Sequence, residues 1–540
     1  MGRLLISLLV SAAALARPAW PAPKGPSDLT KPPTARPKSA DPPGRGRSRR
    51  DTARRIARIN RQLTALFEQK KYEQCEALLK EALKLDPDNG ITWYNLACVH
   101  SRTGRKDRAV EALDTAVAHG YSGFRHMERD PDLEAIRKMP GYRKILARRD
   151  EIHRERAEKI RDRLRKEFGE GYLVGVDHER KLVFATNVDR HMLDEMKQRL
   201  TAYATAQWAD LFTHGFERYL TVVVPRSSDW PSERMGGFYS RQTHTLYART
   251  VGMTLVHEFT HALHAADQDG FGQHHPIWVT EGLATLFETS RLADGHAIPR
   301  VNRRLNLLQH LVRRKRTAPL KELLNYSHGE FMEHASTAYA QGRYVMMYLH
   351  RKGLLKKWYD AYVDTYDDDR SGAKALEKVL NKKLPAIEAD WRKWVLSLAP
   401  AVVRLPPKHA YIGIQLRPAV DGVAIESVVR GSGAQKAGLI PGDVIVKLDD
   451  ERTIDPEHLM TIINGHEVGD KVKVRYRRAG KYRVVTVTLG AMPTRIPSSR
   501  SAPYRRPAPR PIPTPPKPGK AETRRATTKP ATQPAKKKAA

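Results

Sequence analysis

Leu255-Val256-His257-Glu258-Phe259-Thr260-His261-Ala262-Leu263 is the stretch on which the reading of this 540-residue chain turns. Its two histidines stand four apart in an apolar helical pattern. An α-helix turns once in about 3.6 residues, so both project from one face and can share a single tetrahedral metal ion. Glu258 lies one step round, where it need not ligate and can instead face a metal-bound water and take its proton. A motif this short recurs by chance, and a third ligand is needed to decide.

That ligand is offered twenty positions after His261, where Pro276-Ile277-Trp278-Val279-Thr280-Glu281-Gly282-Leu283-Ala284 begins a second helix. Pro276 suits a helix start. Glu281 has apolar neighbours in Ile277, Trp278 and Ala284, among which an unpaired carboxylate would be costly. The pair of motifs resembles the gluzincins, the thermolysin-like and aminopeptidase-N-like peptidases of the MA type. The resemblance extends from Tyr172 to Leu398 and is specific only over the two helices. It implies one Zn2+ ion held by His257, His261 and Glu281, with Glu258 as general base. Zinc would then polarise the scissile carbonyl and lower the pKa of its water. His264 lies seven residues beyond His257, ~10 Å along the axis, too far to join the same small ion. His274 and His275 fall in the Gly-rich loop between the helices and read as ordinary loop histidines that touch substrate or are solvated.

Upstream, Gly236-Gly237-Phe238-Tyr239-Ser240 followed by Thr245-Leu246-Tyr247 reads as an edge hairpin, and Gly237, Phe238 and Tyr239 form a strand to which an extended peptide can add. Aminopeptidase-N-like enzymes carry a Glu at the end of such a segment to grip a free amine. This chain has Ser240, so endopeptidase action is expected instead. Tyr339, in Ala338-Tyr339-Ala340-Gln341-Gly342-Arg343-Tyr344, stands at the distance beyond Glu281 where those enzymes place an oxyanion-stabilising tyrosine; packing on the core is an equal alternative.

Residues 408–490 change to a β-rich pattern with Ala437-Gly438-Leu439 and Gly442-Asp443-Val444-Ile445. They resemble the PDZ modules of bacterial envelope proteases. The resemblance implies a carboxylate-binding turn at Tyr411, Ile412, Gly413 and Ile414 and a groove completed near Leu459 and Ile463, where protein C-termini would dock. Residues 56–147 show two helical hairpins about 34 residues apart, through Tyr72, Cys75 and Ala82 and then Trp93, Leu96, Gly104 and Ala109, and resemble tetratricopeptide repeats. A charged helix over 148–170 connects them to the α+β metallopeptidase domain of 171–400.

The expected fold is therefore multidomain: α-helical repeats, an α+β zincin-like domain, a β-rich PDZ domain and two disordered tails. Residues 17–55 and 491–540 are rich in Pro, Lys and Arg and nearly free of aromatics, so they cannot bury enough apolar surface to fold. They hold more than half of the net charge of +35. An anionic surface is a candidate partner for them; specific nucleic-acid binding is not expected, because base stacking has no aromatic platform there. Residues 1–16 combine Arg3, an apolar run from Leu4 to Leu15 and a small-x-small end, the pattern of a secretory signal, which places the protein in the envelope or outside the cell. With two cysteines, Cys75 and Cys98, a disulfide scaffold and a cysteine-based metal cluster are excluded. The leading expectation is an exported zinc endopeptidase that recruits peptide or protein substrates through its repeats and PDZ domain. The rival is an envelope scaffold that binds proteins through those modules without chemistry.

Overall fold

A computed structural model describes residues 45–230, 235–401, 409–453 and 455–492. The proposed signal at 1–16 and the tail from 493 onward lie outside them. Among the described residues no helix is long and apolar enough to cross a membrane.

The chain begins with helices α1 (Arg45–Glu68), α2 (Tyr72–Leu85), α3 (Gly90–Arg102), α4 (Lys106–Ala118), α5 (Phe124–Arg129), α6 (Pro140–Ala147) and α7 (Arg149–Phe168). Asn89 starts α3 by accepting the Thr92 N–H at 3.1 Å. Gly90 lets α3 meet α4 closely, since a Cβ there would lie 2.7 Å from the His119 carbonyl oxygen. Cys75 and Cys98 are both free thiols buried in this core.

Five strands form the central sheet: β1 (Leu173–Asp177), β2 (Leu182–Thr186), β3 (Leu220–Val224), β4 (Gly237–Ser240) and β5 (Thr245–Ala248), in the order β1-β2-β3-β5-β4. β2, β3 and β5 run parallel, with β1 and β4 antiparallel at the edges. Helix α8 (Arg190–Asp210) makes the crossover from β2 to β3. Every residue of β3, Leu-Thr-Val-Val-Val, is buried, as a strand covered on both faces requires. Helices α9 (Met253–Phe271) and α10 (Ile277–Phe287) follow, then β6 (Arg291–Ala293) and β7 (His296–Ile298), and then α11 (Arg304–Arg313), α12 (Leu320–Leu323), α13 (His328–Glu333), α14 (Ala335–Arg351), α15 (Leu355–Asp364), α16 (Ala373–Leu380) and α17 (Leu384–Ser397). The β6–β7 hairpin interrupts a stretch whose sequence reads as nearly all helix. Its turn, Asp294-Gly295, has both residues at positive φ, the conformation that two-residue hairpins favour.

Strands β8 (Ala410–Tyr411), β9 (Ile414–Pro418), β10 (Val423–Val428), β11 (Val444–Leu448), β12 (Glu451–Arg452), β13 (Lys471–Arg478), β14 (Lys481–Thr488) and β15 (Gly490–Ala491), with helices α18 (Gly433–Lys436) and α19 (Pro456–Asn464), build the last domain. β9 ends the sheet order β14-β13-β11-β10-β9. This domain rests on the central one through polar contacts. The Arg303 N–H donates to Glu457 of α19 at 2.7 Å, Arg300 meets both His458 and Glu451, Arg452 pairs with Glu195, and the Tyr482 hydroxyl donates to Asp189 at 3.0 Å.

Candidate active site

Helix α9 carries His257, Glu258 and His261, and α10 carries Glu281. The two helices are joined by a loop that begins with Gly272 in the left-handed conformation that ends α9. Position in this layer is set by glycine. A Cβ on Gly282 would come within 3.1 Å of Met346 Cγ and 3.2 Å of the Gly342 carbonyl oxygen, so α10 and α14 cross at backbone contact. That crossing puts Tyr339, three residues before Gly342, beside Glu281, one residue before Gly282.

The nitrogens His257 Nε2 and His261 Nε2 are 3.2 Å apart, and Glu281 Oε2 lies 3.3 Å from the first and 3.4 Å from the second. Three donors on a tetrahedron of metal–ligand bonds near 2.0–2.1 Å would stand about 3.3 Å apart. The residues present thus fit a small cation, and among the described residues His257, His261 and Glu281 are the group whose donor atoms converge in this way. Glu281 Oε2 is buried with no hydrogen-bond partner, as an oxygen reserved for an ion would be.

Sequence reasoning missed the support behind this cluster. Glu288 Oε2 is 2.9 Å from His257 Nδ1 and is balanced by Arg304 at 3.3 Å. Glu288 follows Glu281 by seven residues, two turns along the same helical face, and that spacing was the available signal. Burial alone would lower the pKa of His257, but the Glu281 and Glu288 carboxylates carry it up to about 10. Burial opposes the charge on Glu281 too, yet His261 and His257 hold its carboxyl well below the usual range. Glu258 is 6% exposed, and its pKa is raised, chiefly by burial. The Tyr339 hydroxyl is raised as well, by burial and then by Glu281, and the Arg304 guanidinium covers its ring at 5.7 Å.

Of the expected substrate strand, Gly237 comes to the cluster. A Cβ there would lie 2.8 Å from Glu258 Cγ and 2.9 Å from its Oε1, so β4 passes directly over the carboxylate. Phe238 stacks on Tyr247 at 4.8 Å and the Tyr239 hydroxyl meets His244 Nδ1 at 2.7 Å, so those side chains are engaged elsewhere. His264 is buried, stacked on Phe212 and 2.8 Å from His275. His275 is buried too, not solvated, and the His274 N–H donates to the Tyr366 hydroxyl at 3.0 Å. In the last domain Tyr411, Ile412, Gly413 and Ile414 form the turn into the edge strand β9. Gly413 has φ +90° and would otherwise strike Ser432. Leu459 and Ile463 lie in that domain's core, at 0% and 1% exposure.

Comparison with known proteins gives three family models over separate parts of the chain. A PDZ domain model matches residues 410–489, a tetratricopeptide repeat model matches 66–122, and a model described as a protein of unknown function matches 252–368, which includes the whole cluster. Curated relatives include a chloroplastic protein of Arabidopsis thaliana, 31% identical over 84 residues, covering 15% of this chain and 25% of the relative. They also include the serine protease Do-like HtrA of Lactococcus lactis subsp. lactis (strain IL1403), 40% identical over 68 residues, covering 13% of this chain and 17% of the relative. The chain therefore spans a quarter or less of the length of these relatives. Similar solved structures include an HtrA-type protease AlgW with decapeptide (TM-score 0.15, 18% identity, 20% of this chain and 35% of that one) and the HtrA3 PDZ domain bound to a phage-derived ligand (TM-score 0.14, 19% identity, 15% of this chain and 86% of that one).

These matches correct the expected family. The proteases named among the curated relatives are Do-like HtrA serine proteases, and the model over the cluster is of a family without an assigned function; neither is a gluzincin. The gluzincin label, the zincin-like name for the central fold, zinc as the named ion and the gluzincin-type endopeptidase class are withdrawn with it. The reason is physical as well as nominal: two helices with a shared motif define a local geometry, and that geometry does not specify a family. The curated matches run over 61–84 residues, lengths comparable with that of the PDZ match at 410–489.

Proposed function

We propose that the chain is a peptide hydrolase whose working groups are His257, Glu258, His261, Glu281 and Tyr339, and that the PDZ domain brings it peptides or protein C-termini. The observation that carries this reading is the convergence of three donor atoms at 3.2–3.4 Å beside a buried carboxylate and beneath a strand edge. His257, His261 and Glu281 would hold a divalent cation, which when bound would supply positive charge to polarise a carbonyl group. The chain's own groups do the rest. β4 receives the peptide in extended form along its edge, with Gly237 leaving Glu258 uncovered. Glu258 takes a proton from water in the cleft and passes it to the leaving amine; its raised pKa suits both transfers. Tyr339 keeps its proton and donates an O–H to the developing oxyanion.

The PDZ reading is supported by the position of β9 at the end of its sheet, the turn at Gly413 and the match of a PDZ domain model to residues 410–489. Export, argued from residues 1–16, belongs to the same proposal.

The test is peptide-library cleavage by the purified full chain, with Glu258→Gln and His261→Ala beside it. Glu258→Gln should lose at least ~1,000-fold in turnover while keeping its bound metal, and His261→Ala should lose metal. Cleavage that survives chelation and Glu258→Gln but is stopped by a serine-directed fluorophosphonate would overturn the assignment.

A further inference from the structure

A cavity of about 380 Å³ opens beside the cluster, lined by Arg303, Arg304, Leu307, Ala335, Ser336 and Tyr339. It shares two of its walls with the groups already described. Tyr339 contacts Glu281, and Arg304 pairs with Glu288, which in turn holds His257. A peptide laid along β4 with its scissile bond at the cluster therefore has this cavity next to that bond.

The charge on the lining is of one sign. The lining contains two guanidinium groups, one hydroxyl pair and no carboxylate. Arg304 engages Glu288 through Nη2 at 3.3 Å, and its guanidinium lies over the Tyr339 ring at 5.7 Å on the cavity wall. Arg303 is fixed to the PDZ helix by its backbone N–H at 2.7 Å, whereas its side chain is 71% exposed with its nearest carboxylate, Glu457, at 3.9 Å. Arginine's planar fork matches a carboxylate with two donors at once.

We propose that this cavity is a carboxylate-binding subsite of the hydrolase, so that peptides bearing an Asp or Glu side chain, or a free C-terminal carboxylate, adjacent to the scissile bond are preferred. The proposal rests on the hydrolase reading above. Arg303 is a specificity residue in it; Arg304 serves both the cavity and Glu288.

The experiment compares a pair of amidated peptides that differ only in Glu against Gln next to the bond cut, and a second pair that differs in a terminal acid against amide. In the full chain the Glu peptide should have kcat/KM at least about tenfold above the Gln peptide, the scale of one charge-assisted hydrogen bond. In Arg303→Gln that ratio should fall toward one, and in Arg303→Glu a Lys peptide should overtake the Glu peptide. A preference confined to the terminal acid pair assigns the site to chain ends; a preference in the internal pair assigns it to side chains. Equal rates within both pairs overturn the subsite. Should no peptide be cut, fluorescence anisotropy with Glu258→Gln separates the two ideas, because the amidated Glu and Gln peptides leave the PDZ groove without a terminal carboxylate. A tenfold tighter Glu peptide then retains the subsite and sinks only the hydrolase, whereas equal affinities sink the subsite.

Discussion

Glu288 Oε2 accepts from His257 Nδ1 at 2.9 Å, and this bond fixes which nitrogen of the ring faces Glu281. The imidazole is thereby held with Nε2 aimed at the cluster. Replacing Glu288 by Gln leaves the shape intact and weakens that orientation. On the proposed reading, affinity for a divalent cation should fall about 10–100-fold, read by competition with a chromophoric chelator, while circular dichroism stays unchanged. Unaltered affinity would show that Glu288 merely neutralises Arg304.

Gly237→Ala tests the passage of β4 over the carboxylate. Its methyl would sit 2.6 Å from Thr254 Cγ2 and 2.8 Å from Glu258 Cγ, so either strand or side chain must move. The expected result is a loss of about 1–3 kcal/mol in stability, measured by urea unfolding, together with a drop in kcat larger than the change in KM.

His153 gives the fold a pH dependence distant from the cluster. Its ring is 3% exposed, edge-on to Phe124 at 5.2 Å, and Nε2 has no hydrogen-bond partner. Burial, aided by Arg156, lowers its pKa from 6.5 to about 4. The unfolded chain then binds the proton more readily than the folded one, so stability falls as pH drops from 6.5 toward 4. The loss should approach roughly 3 kcal/mol. His153→Leu removes that component, and the gap between variant and parent in chemical denaturation should widen in the variant's favour across this window. Parallel curves would show that His153 is hydrated in the folded state.

Gly413→Ala addresses the PDZ turn. At φ +90°, with Ser432 Cβ 2.0 Å from where the new methyl would lie, alanine cannot be accommodated without moving the turn. A C-terminal peptide that binds the parent chain in calorimetry should lose at least tenfold in affinity, and its amide should bind neither protein.

Much of the candidate site was legible because it rests on helical periodicity: His257, His261 and Glu281 lie on helix faces that spacing alone orients. Glu288 was not legible as the partner of His257 from residue type alone, although its seven-residue offset places it on the helical face of Glu281. Arg303 and Arg304 were not readable, since their role depends on α11 folding back beside Tyr339, a contact that no local pattern encodes. The β6–β7 hairpin was hidden by its length of three residues a strand, against which the Asp294-Gly295 signal was the stronger cue. The family name went astray because a motif of local geometry was allowed to stand for ancestry.

Arg303 and Arg304 are consecutive, and one answers to Glu457 on the PDZ helix while the other answers to Glu288 behind the cluster. A single peptide unit thus joins the last domain to the support of the cluster. Thermodynamic reciprocity follows: a ligand that favours one position of α19 and changes the affinity of the cluster for a second ligand by some factor must find its own affinity changed by that second ligand by the same factor.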